Sequence, residues 1–361
     1  QLLAQGIKKE ELGREKFLER VWEWKEKSGG QIVYQMRRLG ISPAWSRERF
    51  TMDEGLKNAV REAFCNLYEA GLIVRGNYMV NWCTHDGALS DVEVEHKANK
   101  GKLYHLRYFL CENSSSNHSQ IGGEADLGVA QNFASADRMN NSSSEQNSSS
   151  AKDASKRPYI VVATTRPETY FGDTAVMVNP NDERYKDLIG KFVELPLLGR
   201  KIKIIADEHV DMSFGTGVVK VTPAHDTNDY EVGNRHNLEF ITIFDEKGIL
   251  NEHCGEFKGL ERLEARDKIA GKLESKGFVE KIEDYENQVG YCYRCKNVVE
   301  PYISKQWFVK SEIAKDAIER VNKGQSEFYP SHWINSFNAW MRELKDWCIS
   351  RQLWWGHRIP A

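Results

Sequence analysis

Five short strand-like runs crowd the middle of the chain: "YIVVATT", "TAVMVN", "FVELPL", "KIKIIAD" and "GVVKVT", all between Tyr159 and Thr222. Each is rich in Val, Ile or other apolar residues and is closed by Pro, Gly, Asn or Asp, the punctuation of strands joined by turns. From Pro158 to about Tyr285 the pattern therefore predicts a small barrel-like β domain with helical decoration.

The flanks read differently. Residues 8–27 place Leu12, Phe17, Val21 and Trp24 at helical spacing, with "SGG" closing the segment. A second helix is expected to start at Thr51, in a capping box with Glu54, and to stop at Gly71. Both helices are expected to pack on a core. "NYMVNW" and "LYHLRYFL" read as strands, and "SEIAKDAIERVN" as a helix, followed by the aromatic run "SFNAWMRELKDWCISRQLWWGHRIP". The first and last portions share this mixed α/β style, which predicts a β domain inserted into an α/β domain.

Between the arms "LYHLRYFL" and "YIVVATT" of an expected hairpin, residues 113–156 turn Ser/Asn-rich, as in "NSSSNHSQ" and "NNSSSEQNSSSAKDAS". So few large apolar residues predict a disordered loop. With 361 residues and a net charge of −3, the composition is that of a globular chain of two or three domains, in which any RNA contact must come from local basic patches. No apolar run approaches the length of a membrane helix and no signal peptide opens the chain. Seven cysteines, an odd number and mostly scattered, point to a reducing, cytoplasmic setting. The chain opens without Met and stops at "WWGHRIPA", and reads as a piece of something longer.

Chemistry concentrates in two stretches. In "GVVKVTP", strand alternation sets Val219 and Val221 on one side and Lys220 and Thr222 on the other. "HDTNDYEVG" then opens a helix, with Asp226 suited to its N-cap and Asp229 three residues on, facing the same way. Cap and surface ion pairs would account for this stretch alone. A metal at His225 is disfavoured, because His225 and Asp226 point apart at a helix start and Lys220 repels a divalent ion. The second stretch, "VVATTRPETYFGDTA", puts Thr164, Thr165 and Arg166 at a strand end. There Pro167 is expected to keep Arg166 extended, leaving its N–H and C=O groups exposed as a ledge for a ribose or base.

Taken together, "TTRPET", "GTGVVKVTPAHDTNDYEVGNRHNL" and "EPYISKQWF" resemble valyl-tRNA synthetases, a family of class I aminoacyl-tRNA synthetases. So do "GREKFLERVWEWKEKSGGQI", "WSRERFTMDEGL", "VNWC" and "DWCISRQLWWGHRIP". Related isoleucyl enzymes usually carry His and Ala where Lys220 and Thr222 stand.

The resemblance implies an incomplete Rossmann-type catalytic domain with an inserted β-barrel-like editing (connective peptide) domain. Residues 1–105 are assigned to the catalytic part and connector, 106–285 to the editing domain including the loop, and 286–361 to a CxxC knuckle and the return to the catalytic domain. It further implies a proofreading hydrolase. A pocket shaped for valine rejects threonine by only about 10², the established figure for valyl enzymes themselves.

By the same resemblance Asp229 binds the substrate ammonium. Lys220, Thr222 and Asp226 read threonine's hydroxyl, while Thr164, Thr165 and Arg166 position the terminal adenosine and a water. With no nucleophilic triad in evidence, a positioned water and a polarised ester carbonyl carry the hydrolysis.

The family often pairs "NWCxxC" with a later "CxRC" as a zinc knuckle. Here Cys83, Cys292 and Cys295 are kept, and Asp86 stands in place of the other cysteine. Asp86 or His85 would be the fourth ligand, or the knuckle is metal-free. The parent is expected to join valine to tRNA(Val) with ATP, with no membrane or DNA partner. The HIGH and KMSKS signatures are absent from these residues, so the fragment alone is not expected to activate valine. Rival readings are an isoleucyl or leucyl editing domain, a non-catalytic tRNA-binding module, and a metal-dependent hydrolase.

Overall fold

A computed structural model describes residues 2, 5–111, 157–213 and 215–361; the Ser/Asn-rich 113–156 segment, expected to be a disordered loop, lies outside the described residues. The helices are α1 (Lys9–Leu12), α2 (Arg14–Gly29), α3 (Gln31–Arg38), α4 (Glu54–Glu69), α5 (Thr227–His236), α6 (Arg262–Ser275), α7 (Lys315–Asn322) and α8 (Trp333–Arg342). The strands are β1 (Ile73–Cys83), β2 (Gly87–Leu89), β3 (Val94–Leu110), β4 (Tyr159–Thr164), β5 (Ala175–Val178), β6 (Phe192–Glu194), β7 (Lys201–Ala206), β8 (Val218–Val221), β9 (Val279–Cys292), β10 (Val299–Val309) and β11 (Trp347–Cys348). All five central runs are strands. The chain divides into two compact units. One holds residues 1–101, 223–262 and 285–361; the other holds 102–222 and 263–284.

The first unit is built on an antiparallel sheet ordered β11-β10-β1-β2, with Ile73 opposite Val309 and Cys83 opposite Val299. Alternation along β1 sends Tyr78, Val80 and Trp82 into a cluster with Ala88, Phe308, Tyr302 and Cys348. Cys83, on the opposite face, joins Leu89 and Cys292.

The helices of this unit depart from expectation. Neither α2 nor α4 contains a buried residue. Their apolar stripes lie against aromatic rings instead of in an enclosed core. Phe17 meets Trp354 at 5.6 Å, Trp22 meets Trp355 at 4.9 Å, and Phe64 meets Trp307 at 5.4 Å, all edge-on. Trp22 takes the inward place predicted for Trp24, which is 49% exposed. The start of α4 also differs: the cap is Asp53, whose carboxylate accepts from Leu56 N at 2.8 Å, so Thr51 caps nothing. Arg49 binds that same carboxylate at 2.7 Å, which secures the aspartate in the capping role. The stop is as expected, with Gly71 just past the end at φ 72°.

The second unit holds a curled sheet along the path β4-β3-β6-β7-β5-β8, with β9 added against β3. The expected hairpin arms pair antiparallel, Tyr104 opposite Thr164 and Phe109 opposite Tyr159. Neighbouring strands along this path pair antiparallel, except β5 and β7, which run parallel. The two ends of the path come together where Thr216 Oγ1 donates to Val161 O at 2.8 Å, and this contact curls the sheet towards a barrel. Ala175, Val176, Met177 and Val178 are all buried, so β5 has no solvent face. Among the described residues no helix is long and apolar enough to cross a membrane.

Candidate functional site

In the second unit, β4 ends at Thr164, whose hydroxyl accepts from Arg166 N at 3.1 Å. Arg166 is non-helical, with φ −124° and ψ 74°, as Pro167 requires. The exposed backbone ledge predicted there is not what forms. Residues Pro167–Gly172 wind into a fully buried 3₁₀ turn, and the Arg166 carbonyl accepts from Thr169 N at 3.0 Å and Thr169 Oγ1 at 2.9 Å. The turn consumes the groups the ledge would have offered. Glu168 within it is clamped by Arg266 of α6 through two bonds of 2.6 and 2.9 Å. Thr165, between the two bonded residues, is half-buried.

The turn delivers Asp173, which is 0% exposed, into a polar knot. Its Oδ1 accepts from Thr222 Oγ1 at 2.6 Å and from Lys220 Nζ at 3.2 Å, and its Oδ2 accepts from Tyr108 OH at 2.6 Å. Lys220 Nζ also donates to Thr222 Oγ1. Lys220 and Thr222 thus share one side of the strand, as alternation predicts. Their setting is enclosed: the Lys220 side chain is only 11% exposed, and Thr222 is buried. On the other side of β8, Val219 is 38% exposed while Val221 is buried.

Burial pushes the Asp173 carboxyl above its ordinary range despite the Lys220 ammonium and the two hydroxyls. Burial, and then the adjacent Asp173 charge, push the Tyr108 phenol well above its usual value. The knot's anchors were missed in the sequence. Their signal was the aspartate in "FGDTA", flanked by a buried run, and the inward period of Tyr104, Leu106 and Tyr108 along β3.

Asp226 and Asp229 belong to the first unit, at the start of α5. Asp226 caps the helix, its carboxylate accepting from Asn228 N at 2.9 Å and Asp229 N at 3.2 Å. Asp229 is buried in the first turn. The His225 ring lies 4.4 Å from that of Phe244, and its Nε2 accepts from Ile243 N at 2.9 Å. An Nε2 engaged by a backbone donor is a structural group and offers no lone pair to a metal.

A second cluster in the first unit gathers Cys83, Asp86, Cys292 and Cys295, with ligand atoms all within 4.8 Å of one another. Cys83 Sγ is 3.3 Å from Cys295 Sγ, and Cys292 Sγ donates to Asp86 Oδ2 at 3.2 Å. Thiolates around a tetrahedral zinc stand roughly 3.7 Å apart, so the donor set fits that ion. Of Asp86 and His85, it is Asp86 that lies among these ligand atoms, and His85 Nδ1 is 3.2 Å from Asp86 Oδ1. Asp86 N donates to Cys83 Sγ at 3.4 Å.

Burial raises the Cys292 and Cys295 thiols, whereas hydrogen bonds from Cys292, Cys295 and His85 outweigh burial and lower Asp86. Gly87 closes the turn at φ 80°, where a Cβ would fall 2.4 Å from Gln352 Oε1. None of the seven cysteines forms a disulfide.

These two constellations sit in a chain whose sequence matches, over residues 2–361, the family described as tRNA synthetases class I (I, L, M and V). The chain belongs to that family. Along its whole length it is 66% identical to a valine–tRNA ligase of Campylobacter jejuni (strain RM1221), 61% to that of Helicobacter pylori (strain J99) and 51% to that of Syntrophotalea carbinolica. It spans only 36–37% of the length of these relatives.

Proposed function

We propose that the chain is the part of a valine–tRNA ligase that carries a proofreading hydrolase for threonyl-tRNA(Val), inserted into an incomplete Rossmann-type catalytic domain. The parent enzyme would join valine to tRNA(Val) with ATP in the cytoplasm. Identity of 51–66% to valine–tRNA ligases supports the amino acid. The observation that carries the hydrolase is the pairing of Lys220 with Thr222 on the buried Asp173 carboxylate.

In this mechanism Lys220 and Thr222 present a donor and an acceptor to a substrate hydroxyl. A valine methyl can neither accept from the one nor donate to the other, which is the physical source of selectivity. Asp229 takes the ammonium, and Asp226 fixes the helix start while contributing an acceptor. Thr164, Thr165 and Arg166 hold the terminal adenosine and orient a water on the ester carbonyl. The reaction needs no covalent intermediate; positioning supplies the rate.

The test is a deacylation panel with tRNAs charged with threonine, valine and isoleucine. Threonyl-tRNA(Val) is expected to be cleaved far faster than the other two. Preferred cleavage of the valyl or isoleucyl ester, or cleavage of none, would remove the proposal.

At the knuckle, Cys83, Asp86, Cys292 and Cys295 would hold one structural zinc, tying β1 and β2 to the end of β9. Metal analysis of the purified chain is expected to give about one zinc per chain. Cys292→Ser should lose it and unfold at lower temperature, because metal binding is folding free energy. Equal metal content in wild type and Cys292→Ser would rule the knuckle out.

A further inference from the structure

The three thiols of the knuckle are not equivalent. Cys83 ends β1 opposite Val299, and Cys292 ends β9, so strand pairing places both. Cys295 lies in the turn between β9 and β10. Backbone bonds close that turn: Cys292 N donates to Asn297 O at 2.8 Å, and Lys296 N to Cys292 O at 2.9 Å. Two further contacts dock it on the segment after β2, Tyr293 N to Glu93 O at 3.1 Å and Arg294 Nη2 to Glu93 Oε1 at 2.7 Å. The result is a contact of 3.3 Å between Cys83 Sγ and Cys295 Sγ, which stand 212 positions apart in the chain.

Exposure and hydrogen bonding give each sulfur a different part. Cys83 and Cys292 are 0% exposed, while Cys295 is partly open to solvent. A small oxidant therefore meets Cys295 first. Cys292 Sγ donates to Asp86 Oδ2 at 3.2 Å, so a carboxylate holds its proton. Cys83 Sγ instead accepts from Asp86 N at 3.4 Å and faces Cys295. Closing 3.3 Å to the roughly 2.05 Å of a disulfide takes a shift of about 1.2 Å, within reach of small side-chain rotations.

We propose that the knuckle is a peroxide-responsive site, in which oxidation joins Cys83 to Cys295 and leaves Cys292 a free thiol. The oxidant is hydrogen peroxide. Its O–O bond breaks as the Cys295 sulfur takes one oxygen to become a sulfenic acid, and the first water leaves. The Cys83 sulfur then attacks the Cys295 sulfur, and that oxygen departs in the second water. The sulfur pair loses two electrons to the peroxide. The two protons come from the thiols, or from solvent where the sulfurs are thiolates. Bridging consumes two of the three thiolates that would hold zinc, so the ion leaves as the bond forms. A covalent tie between β1 and the turn after β9 then replaces the metal tie, and a dithiol reductant reverses the exchange. Zinc release rests on the knuckle reading above; the bond itself does not.

The experiment treats the purified chain with hydrogen peroxide, before and after stripping metal with a chelator. Free thiols are then alkylated, and the chain is digested without reductant for peptide mass spectrometry. In both samples the main cross-linked species should join the Cys83 and Cys295 peptides, with Cys292 recovered alkylated. In the unstripped sample a chromogenic chelator should record about one zinc released per chain, in step with the cross-link. Dithiothreitol should abolish the linked peptide. Cys83→Ser should lose it altogether and leave Cys295 as a sulfenic acid that dimedone traps. Exposed Cys65 serves as the internal measure of peroxide dose.

A main link between Cys292 and Cys295 overturns the proposal. So does the absence of any Cys83–Cys295 peptide at a dose that oxidises Cys65. If Cys83→Ser fails to fold, the wild-type peptide map decides alone. Purified chain without zinc removes the metal reading, while the map still tests the bond. Zinc present with no bond formed condemns the proposal and leaves the metal reading standing.

Discussion

Asp229→Ala is expected to abolish deacylation of threonyl-tRNA(Val) while circular dichroism stays that of the wild type. Asp229 sits in the first turn of α5, where the helix N-terminus favours a carboxylate. Helix formation does not need its side chain, because the cap is Asp226. Losing a charge-assisted contact to the substrate ammonium costs about 1.5–3 kcal/mol in binding, and an ester displaced from its water loses further rate. Wild-type deacylation by Asp229→Ala would show that the ammonium is held elsewhere. Lys220→Ala is the less discriminating substitution. It strips the buried Asp173 of its cation, so stability and selectivity would change together.

The second large effect is on stability. Arg262 and Glu300 form a buried pair, Nε to Oε1 at 3.0 Å, with side chains 4% and 2% exposed. Arg262 also binds Glu261 at 2.5 Å and donates to Val298 O at 3.2 Å. Glu300→Ala withdraws one carboxylate from a guanidinium that cannot reach water. Breaking such pairs costs roughly 3–5 kcal/mol, and because Glu261 remains, the lower end is expected. Glu300→Gln, which keeps an acceptor, should lose less. Urea unfolding of the three proteins measures both losses; coincident midpoints would show that the pair contributes nothing.

Local signals carried much of this fold. β-branched runs closed by turn residues became strands at all five central positions, because alternation and punctuation act within a few residues. Asp226 as a helix cap was legible for the same reason, as was the stop at Gly71. What misled was competition between near neighbours. Thr51 and Asp53 are both capping residues, and only the structure shows Arg49 securing Asp53. Trp22 and Trp24 both suit an apolar stripe, and the choice falls to Trp355, far along the chain.

The site follows the same division. Lys220 beside Thr222 follows from period-two geometry, and the gathering of Cys83, Asp86, Cys292 and Cys295 from their spacing within a known motif. Asp173 and Tyr108 meet across 65 residues, a separation at which no local pattern speaks. The Arg166 backbone in "TTRPET" reads as an open ledge, and two residues on stands Glu168. Its partner Arg266 is in a helix far downstream, and that ion pair is why the segment is buried rather than open.

The pairing of β1 with β10 also governs how the chain comes off the ribosome. These strands are roughly 200 residues apart, so at about 5–20 residues per second β1 waits on the order of ten to fifty seconds for its partner. The path from β3 to β8 is complete once Val221 has emerged, well before Val299 is made. During that interval Tyr78, Val80 and Trp82 have no Phe308 or Cys348 to cover them. A nascent chain stalled between Val221 and Val299 would therefore present a bare apolar strand face, and that face is where a holdase should bind.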